Sequence, residues 1–233
     1  MLVKDRMSSN PITAAPDTTH RQANDVMREH NIHHLPVVDR RGNLIGIVSD
    51  EDLIAAQPSA ATTLSIYEIH NLLSKLQLKD LMQSPVITIP SETPIEEAAR
   101  LMQERDISCL PVVDNEQLVG IITDSDLFTT MADMLGSGQE GARFTLQVPD
   151  EPGMLAKVTQ AVTDAGGNIL SLVTWKCDDG LGHITIKERG ADYRQLKQAL
   201  DDIEFTVDDL QQDPSYTEQQ SGRFDVRTLR DQM

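Results

Sequence analysis

Cysteine is scarce in this chain of 233 residues. The two that occur, Cys109 and Cys177, lie 68 residues apart with no paired spacing, so neither a disulfide framework nor a zinc knuckle is encoded and both read as reduced thiols. Aromatic residues make up only 3%, too few for a stacking platform along single-stranded nucleic acid. Positive charge is also short: 20 Lys and Arg stand against 37 Asp and Glu, a formal charge of −17. Nucleic-acid affinity comes mainly from cations that neutralise phosphates, so a DNA or RNA partner is not expected. The longest apolar stretches run five or six residues, as in Leu44 to Ser49, against the roughly 20 that span a bilayer. No membrane partner is expected either. The first 20 residues carry Lys4, Asp5, Arg6 and two prolines instead of the apolar core of a secretory signal, which makes the cytoplasm the expected location.

What the chain does have is a hydrophobic content of 39% and an internal repeat. Lys4 to Asp39 laid over Lys79 to Asp114 gives 16 identities in 36 positions, and Leu44 to Leu53 over Leu118 to Leu127 gives six in ten. A one-residue gap in the turn after Asp39 joins the two alignments. Each copy reads as strand, helix, strand, strand, helix. Thr18 and Thr93 are the expected helix N-caps, and Ala23, Val26, Met27 and their counterparts Ala98, Leu101, Met102 fall on one helical face. Ile32 to Asp39 and Ile107 to Asp114 are short valine-rich runs. A polar turn joins each to a second run, Leu44 to Ser49 or Leu118 to Thr123, as in a hairpin. Asp-x-Asp-Leu then opens another helix, with Ser49 or Thr123 placed to cap it.

The Leu-Pro-Val-Val-Asp strand, the turn, and the following Gly-h-h-[Ser/Thr]-x-x-Asp-Leu resemble a CBS domain, and two in tandem resemble a CBS pair, or Bateman module. The expected domains are residues 1–55 and 77–135, separated by a connector at 56–76 with helical spacing in Leu64 to Leu78. Gly136 to Gly141 reads as a linker. Beyond it the order becomes β-α-β-β-α-β over 142–210, and Asp150-Glu151-Pro152-Gly153-Met154-Leu155 with Gly166-Gly167-Asn168-Ile169 resembles an ACT domain of ferredoxin-like fold. The polar tail, 211–233, has the composition of a disordered segment. The expected class is therefore α+β, two CBS domains followed by an ACT domain, a sequence of domains that resembles the acetoin-utilization (AcuB) family.

Resemblance to CBS pairs implies two clefts, each taking its base-binding edge from one repeat and its [Ser/Thr]-x-x-Asp from the other. One would use Ile12, Ile32 and His33 with Ile121, Thr123 and Asp126. The other would use Ile87, Ile107 and Ser108 with Ile47, Ser49 and Asp52. The chemistry is apt, since an aspartate can accept from two vicinal ribose hydroxyls and a helix N-terminus favours an anion. The competing reading keeps Ser49 and Thr123 as caps and the aspartates as first-turn residues. Because His33-His34 stand where the second copy has Ser108-Cys109, the first cleft is expected to meet phosphate better. A metal site at His30, His33 and His34 lacks an accompanying acid or cysteine ligand, and none is assigned.

For the ACT segment the resemblance implies an effector site at Asp150, Pro152, Gly153, Met154, Asn168 and Ile169, at a subunit interface. The same residues also suit two tight turns, with Pro152 starting the helix. No catalytic motif is present, and no catalytic residue is assigned. The resulting expectation is a regulatory protein, a homodimer, that senses an adenosyl ligand such as AMP, ADP, ATP or S-adenosylmethionine and a small metabolite or amino acid, and acts on a partner enzyme. The alternative is a constitutive scaffold or regulatory subunit with pockets that bind nothing.

Overall fold

Adjacent threonines decide where the first helix starts. In the computed structural model, which describes residues 1–58, 65–176, 181–201 and 206–212, the N-cap of α1 (His20–His30) is Thr19, not Thr18. Its hydroxyl accepts from the Gln22 amide while the Gln22 side chain accepts from the Thr19 amide, so two first-turn donors are satisfied reciprocally. Thr18 instead turns its hydroxyl to the Ala15 amide. In the second copy α4 (Ile95–Arg105) has Pro94 at the N-cap with no side-chain cap, so the expected role of Thr93 is not realised either. Both helices end on a left-handed residue, Asn31 and Asp106, of the kind that tolerates positive φ.

Two hairpins follow these helices. Antiparallel β2 (His34–Val38) and β3 (Leu44–Ser49) pair in the first copy, and β4 (Cys109–Asp114) and β5 (Gln117–Thr123) in the second. Both contain a register shift at the second valine, Val37/Val38 and Val112/Val113. The helices that close the copies are α2 (Asp50–Ala55) and α5 (Asp124–Met134).

The leading segment of each copy joins the hairpin of the other. The two-residue strand β1 (Ser8–Ser9) pairs with β5 of the second copy, Ser8 opposite Ile121 and Ser9 opposite Gly120. Gln83, the counterpart of Ser8, forms a bridge with Ile47 in β3 of the first copy. The exchange extends to the cores. Val3 is fully buried with Ala98, Met102, Leu110 and Ile122, while Leu78 is fully buried with Ala23, Met27, Leu35 and Val48. Gly46 and Gly120 mark the crossing points, because a Cβ at either would run into the side chain of Met82 or Met7 from the other copy. The expected leading strand is therefore two residues long in the first copy and reduced to a single bridge in the second, and each is lent to its neighbour. Burial of one such apolar side chain is worth about 1.5–3 kcal/mol, so neither copy completes its core alone.

The connector contains α3 (Ile66–Lys75), two residues shorter at its start and three at its end than the pattern predicts, and the Leu76 carbonyl accepts from the His20 amide at 2.8 Å. The chain divides into two compact units at Thr130/Met131. Before the predicted Gly136 to Gly141 linker has run its length, the Leu135 carbonyl accepts from Ser171 Oγ and the Gly136 carbonyl from Lys187 Nζ, both within the second unit.

That unit has the order predicted for it: β6 (Ala142–Pro149), α6 (Met154–Asp164), β7 (Asn168–Lys176), β8 (Leu181–Arg189), α7 (Tyr193–Asp201) and β9 (Thr206–Gln212). The sheet is antiparallel in the order β7-β8-β6-β9. Phe144, Leu146, Ile184 and Ile186 alternate onto the face covered by Val158, Val162, Leu196 and Leu200 of the two helices. Cys177 and the tail after Gln212 lie outside the described residues, as do residues 59–64 of the expected connector loop.

Candidate functional site

Period-two alternation builds one wall of the site twice. On β3, Gly46 and Val48 turn into the core, leaving Ile47 and Ser49 on the opposite face; on β5, Gly120 and Ile122 turn inward, leaving Ile121 and Thr123. The exchange of β1 onto β5 then brings the Ser8 to Ile12 segment beside Ile121, and the Gln83 bridge brings Pro85 to Ile87 beside Ile47. The result is a cavity of about 1090 Å³.

Every residue of both predicted clefts lines that cavity. Ile12, Ile32, His33, Ile121, Thr123 and Asp126 are present, and so are Ile87, Ile107, Ser108, Ile47, Ser49 and Asp52. Within it, His34 Nε2 of the first copy meets Ser108 Oγ of the second at 3.0 Å.

Both aspartates are engaged as helix-start residues. The Asp52 Oδ2 accepts from the Ser49 amide (2.8 Å) and hydroxyl (2.7 Å), and the Asp126 Oδ2 accepts from the Thr123 amide (2.8 Å) and hydroxyl (2.8 Å). The second oxygens differ. Asp52 Oδ1 receives the Gln83 side-chain amide at 3.3 Å, whereas no hydrogen bond among the described residues reaches Asp126 Oδ1, since Ser8 stands where the other cleft has Gln83. Capping and ligand binding are thus compatible, and Asp126 has the acceptor to spare.

The expectation of free backbone donors for an anion is corrected by the same turns. At α2 the Asp50 amide donates to the His33 carbonyl, the Glu51 amide to Asp50 Oδ1 and the Asp52 amide to Ser49 Oγ. At α5 the Asp124 amide donates to the Ser108 carbonyl, the Ser125 amide to Asp124 Oδ1 and the Asp126 amide to Thr123 Oγ1. Each helix fills its own anion site.

Asp50, absent from the sequence-derived set, ties up the first-cleft histidine: His33 Nδ1 lies 2.8 Å from Asp50 Oδ2. The hydrogen bond from His33 holds the Asp50 carboxyl below the usual carboxylate range. Burial lowers the His34 imidazole against the raising pull of Asp50 and Asp124, which favours its neutral form. Burial, with Asp126 and Asp124 nearby, pushes the Cys109 thiol up to about 12, so it stays a thiol at neutral pH. Among the described residues no group of three or more His, Cys, Asp or Glu is arranged to hold a metal ion.

The proposed ACT set divides. Asp150, Pro152, Gly153 and Met154 lie at one end of α6, while Asn168 and Ile169 pair with Arg189 and Glu188 at the other end of the sheet. Ten helical residues after Met154 separate them, about 15 Å at 1.5 Å per residue, so one small effector cannot touch both within a single chain. Pro152 does not start the helix. It precedes Gly153, whose φ of 93° makes the second corner of a turn, and α6 begins at Met154.

Comparison with known proteins agrees with these two architectures. A CBS-domain model matches residues 3–59 and 78–133, and a TTHA0829-like ACT-domain model matches 140–211. A CBS domain-containing protein of Dictyostelium discoideum is 35% identical over 136 residues, covering 58% of this chain and 94% of that one. The chain belongs to the CBS-domain family. It carries tandem CBS domains and a C-terminal ACT-like domain, an α+β architecture. The crystal structure of an acetoin utilization protein (AcuB) from Vibrio cholerae is similar, at 36% identity and a TM-score of 0.50 over 58% of this chain and 93% of that one. The CBS pair of protein MJ0100, crystallised with 5'-methylthioadenosine and S-adenosylmethionine, is 32% identical over 57% of this chain and 97% of that one, with a TM-score of 0.48. L-aspartate semialdehyde sulfurtransferase of Methanocaldococcus jannaschii is 34% identical over 127 residues, 54% of this CBS-family chain, which spans 22% of that enzyme's length.

Sequence reasoning missed Gln83 and Asp50. The signal for Gln83 was its alignment with Ser8, but its reach to Asp52 depends on the exchange of leading segments, which the repeat does not reveal.

Proposed function

We propose that this CBS-family chain is a regulatory protein, AcuB-like in its plan, that binds an adenosyl ligand between its two repeats. The observation that carries the reading is the convergence of two isoleucine-lined edges and two [Ser/Thr]-x-x-Asp turns on one cavity of about 1090 Å³. An isoleucine slot suits the base, and a carboxylate oxygen not used by its helix suits the ribose hydroxyls. The ACT-like domain takes a small metabolite or amino acid at the Asp150 to Met154 turn, completed by a second subunit because one chain does not bring the two turns together. The proposed assembly is a homodimer in the cytoplasm that acts on a partner enzyme. Ile54 and Phe128, at equivalent places on α2 and α5 and each 64% exposed, are the apolar residues such an assembly would cover.

The test is thermal unfolding against AMP, ADP, ATP, S-adenosylmethionine and the amino acids, because any ligand of the native state raises the midpoint by mass action. A rise with an adenosyl compound that is lost in Asp126→Ala supports the sensor. No rise with any adenosyl compound favours the scaffold reading.

A further inference from the structure

Acidic side chains dominate the charge around the cavity. Asp50, Glu51, Asp52, Asp106, Asp124 and Asp126 all line it, while no lysine or arginine does among the described residues. Acidic side chains ordinarily ionise well below neutral pH, and a concave surface lined by one sign of charge focuses the field within it. Three features that could offset this for a phosphate are already in use. The first-turn amides of α2 and α5 donate to the chain's own oxygens. His33 is paired with Asp50. His34 meets Ser108 and is biased to its neutral form by burial.

We infer that the cavity selects adenosyl ligands whose 5' substituent is uncharged or cationic, thioethers and sulfoniums, and rejects 5'-phosphates. The inference rests on the adenosyl reading above and narrows it. It also reverses the expectation that the histidine-bearing cleft is the one for phosphate, since the imidazole expected to meet the anion is held by a carboxylate from the next turn.

The experiment is calorimetry of the full chain in EDTA against adenosine, 5'-methylthioadenosine, S-adenosylmethionine, AMP and ATP, at low and at moderate salt. EDTA removes divalent cations that could bridge a phosphate to carboxylates. The expected result is AMP at least tenfold weaker than 5'-methylthioadenosine at low salt and ATP weaker still, with the gap narrowing as salt screens the cavity. S-adenosylmethionine should weaken with salt. AMP binding as tightly as 5'-methylthioadenosine, or more tightly, overturns the charge selection and leaves the adenosyl reading intact. Failure of adenosine and all its derivatives to bind overturns the adenosyl reading itself.

The variant Asp106→Asn sharpens the outcome. Asp106 is exposed and lies outside both [Ser/Thr]-x-x-Asp turns, and the first copy already carries Asn31 at its place with the same left-handed backbone. Removal of this charge should strengthen AMP binding a few-fold and leave 5'-methylthioadenosine unchanged. Unchanged AMP affinity in the folded variant contradicts the inference.

Discussion

The two CBS repeats are alike where they pack and diverge at several positions around the cavity. Ala23, Met27, Leu35 and Val37 in one core are Ala98, Met102, Leu110 and Val112 in the other, all buried. On the cavity wall the counterparts diverge: Ser8 against Gln83, Asn31 against Asp106, His33 against Ser108, Glu51 against Ser125. The core, the isoleucine edges and the turn aspartates are repeated, and the polar positions around them are not. A hydrophobic core needs only matched volumes at matched positions, so both copies retain them.

The largest effect should come from breaking the exchange that joins the copies. Leu78 belongs to the second repeat but fills the first repeat's core, and Leu78→Ala should cost about 2–5 kcal/mol in denaturant unfolding. Hydrogen exchange should show the loss in α1 and β2, and a loss confined to residues after 78 would contradict the exchange. Next in size is the contrast between the aspartates. Asp126→Ala should weaken an adenosyl ligand by about 1.5–3 kcal/mol, roughly ten- to a hundredfold, by calorimetry. Asp52→Ala should cost less, because Gln83 already occupies the Asp52 oxygen that Asp126 keeps available. Equal losses would remove Gln83 as the source of the difference. Gln83→Ala should make the two sites more alike, strengthening the weaker of two binding events by a few-fold.

The smallest effect concerns acid sensitivity. His33 lowers the folded-state pKa of Asp50, so the stability Asp50 contributes is complete above the unfolded carboxylate value near 3.9 and is lost as pH falls through the lowered one. His33→Ala should raise the Asp50 carboxyl toward its ordinary value in a carbon-detected NMR titration. At neutral pH the cost should stay below about 1 kcal/mol, as for other exposed pairs.

Much of this was legible in the residues. The repeat, both hairpins and the β-α-β-β-α-β order follow from periodicity, because strands and helices that bury one face must alternate at 2 or near 3.6. The twelve cleft residues came from the CBS resemblance, and they share a cavity because alternation on β3 and β5 leaves Ile47, Ser49, Ile121 and Thr123 on one side. Three things were hidden. Thr18 and Thr19 are both capable caps, and only the Gln22 side chain chooses between them. Identity between copies cannot say whether Val3 packs into its own hairpin or the other, since both cores offer the same apolar shape. The competition for first-turn amides was hidden too: the Asp50 and Asp124 carboxylates, the His33 and Ser108 carbonyls and the cap hydroxyls together take the donors that a phosphate would need.

The most direct measurement is an isoleucine-methyl NMR titration of the full chain with 5'-methylthioadenosine. Binding between the repeats predicts saturable shifts in Ile12, Ile32, Ile47, Ile87, Ile107 and Ile121, with Ile184 and Ile186 of the ACT-like core unmoved. No shifts at millimolar ligand, or shifts confined to the ACT-like isoleucines, would contradict a nucleoside site in the CBS pair.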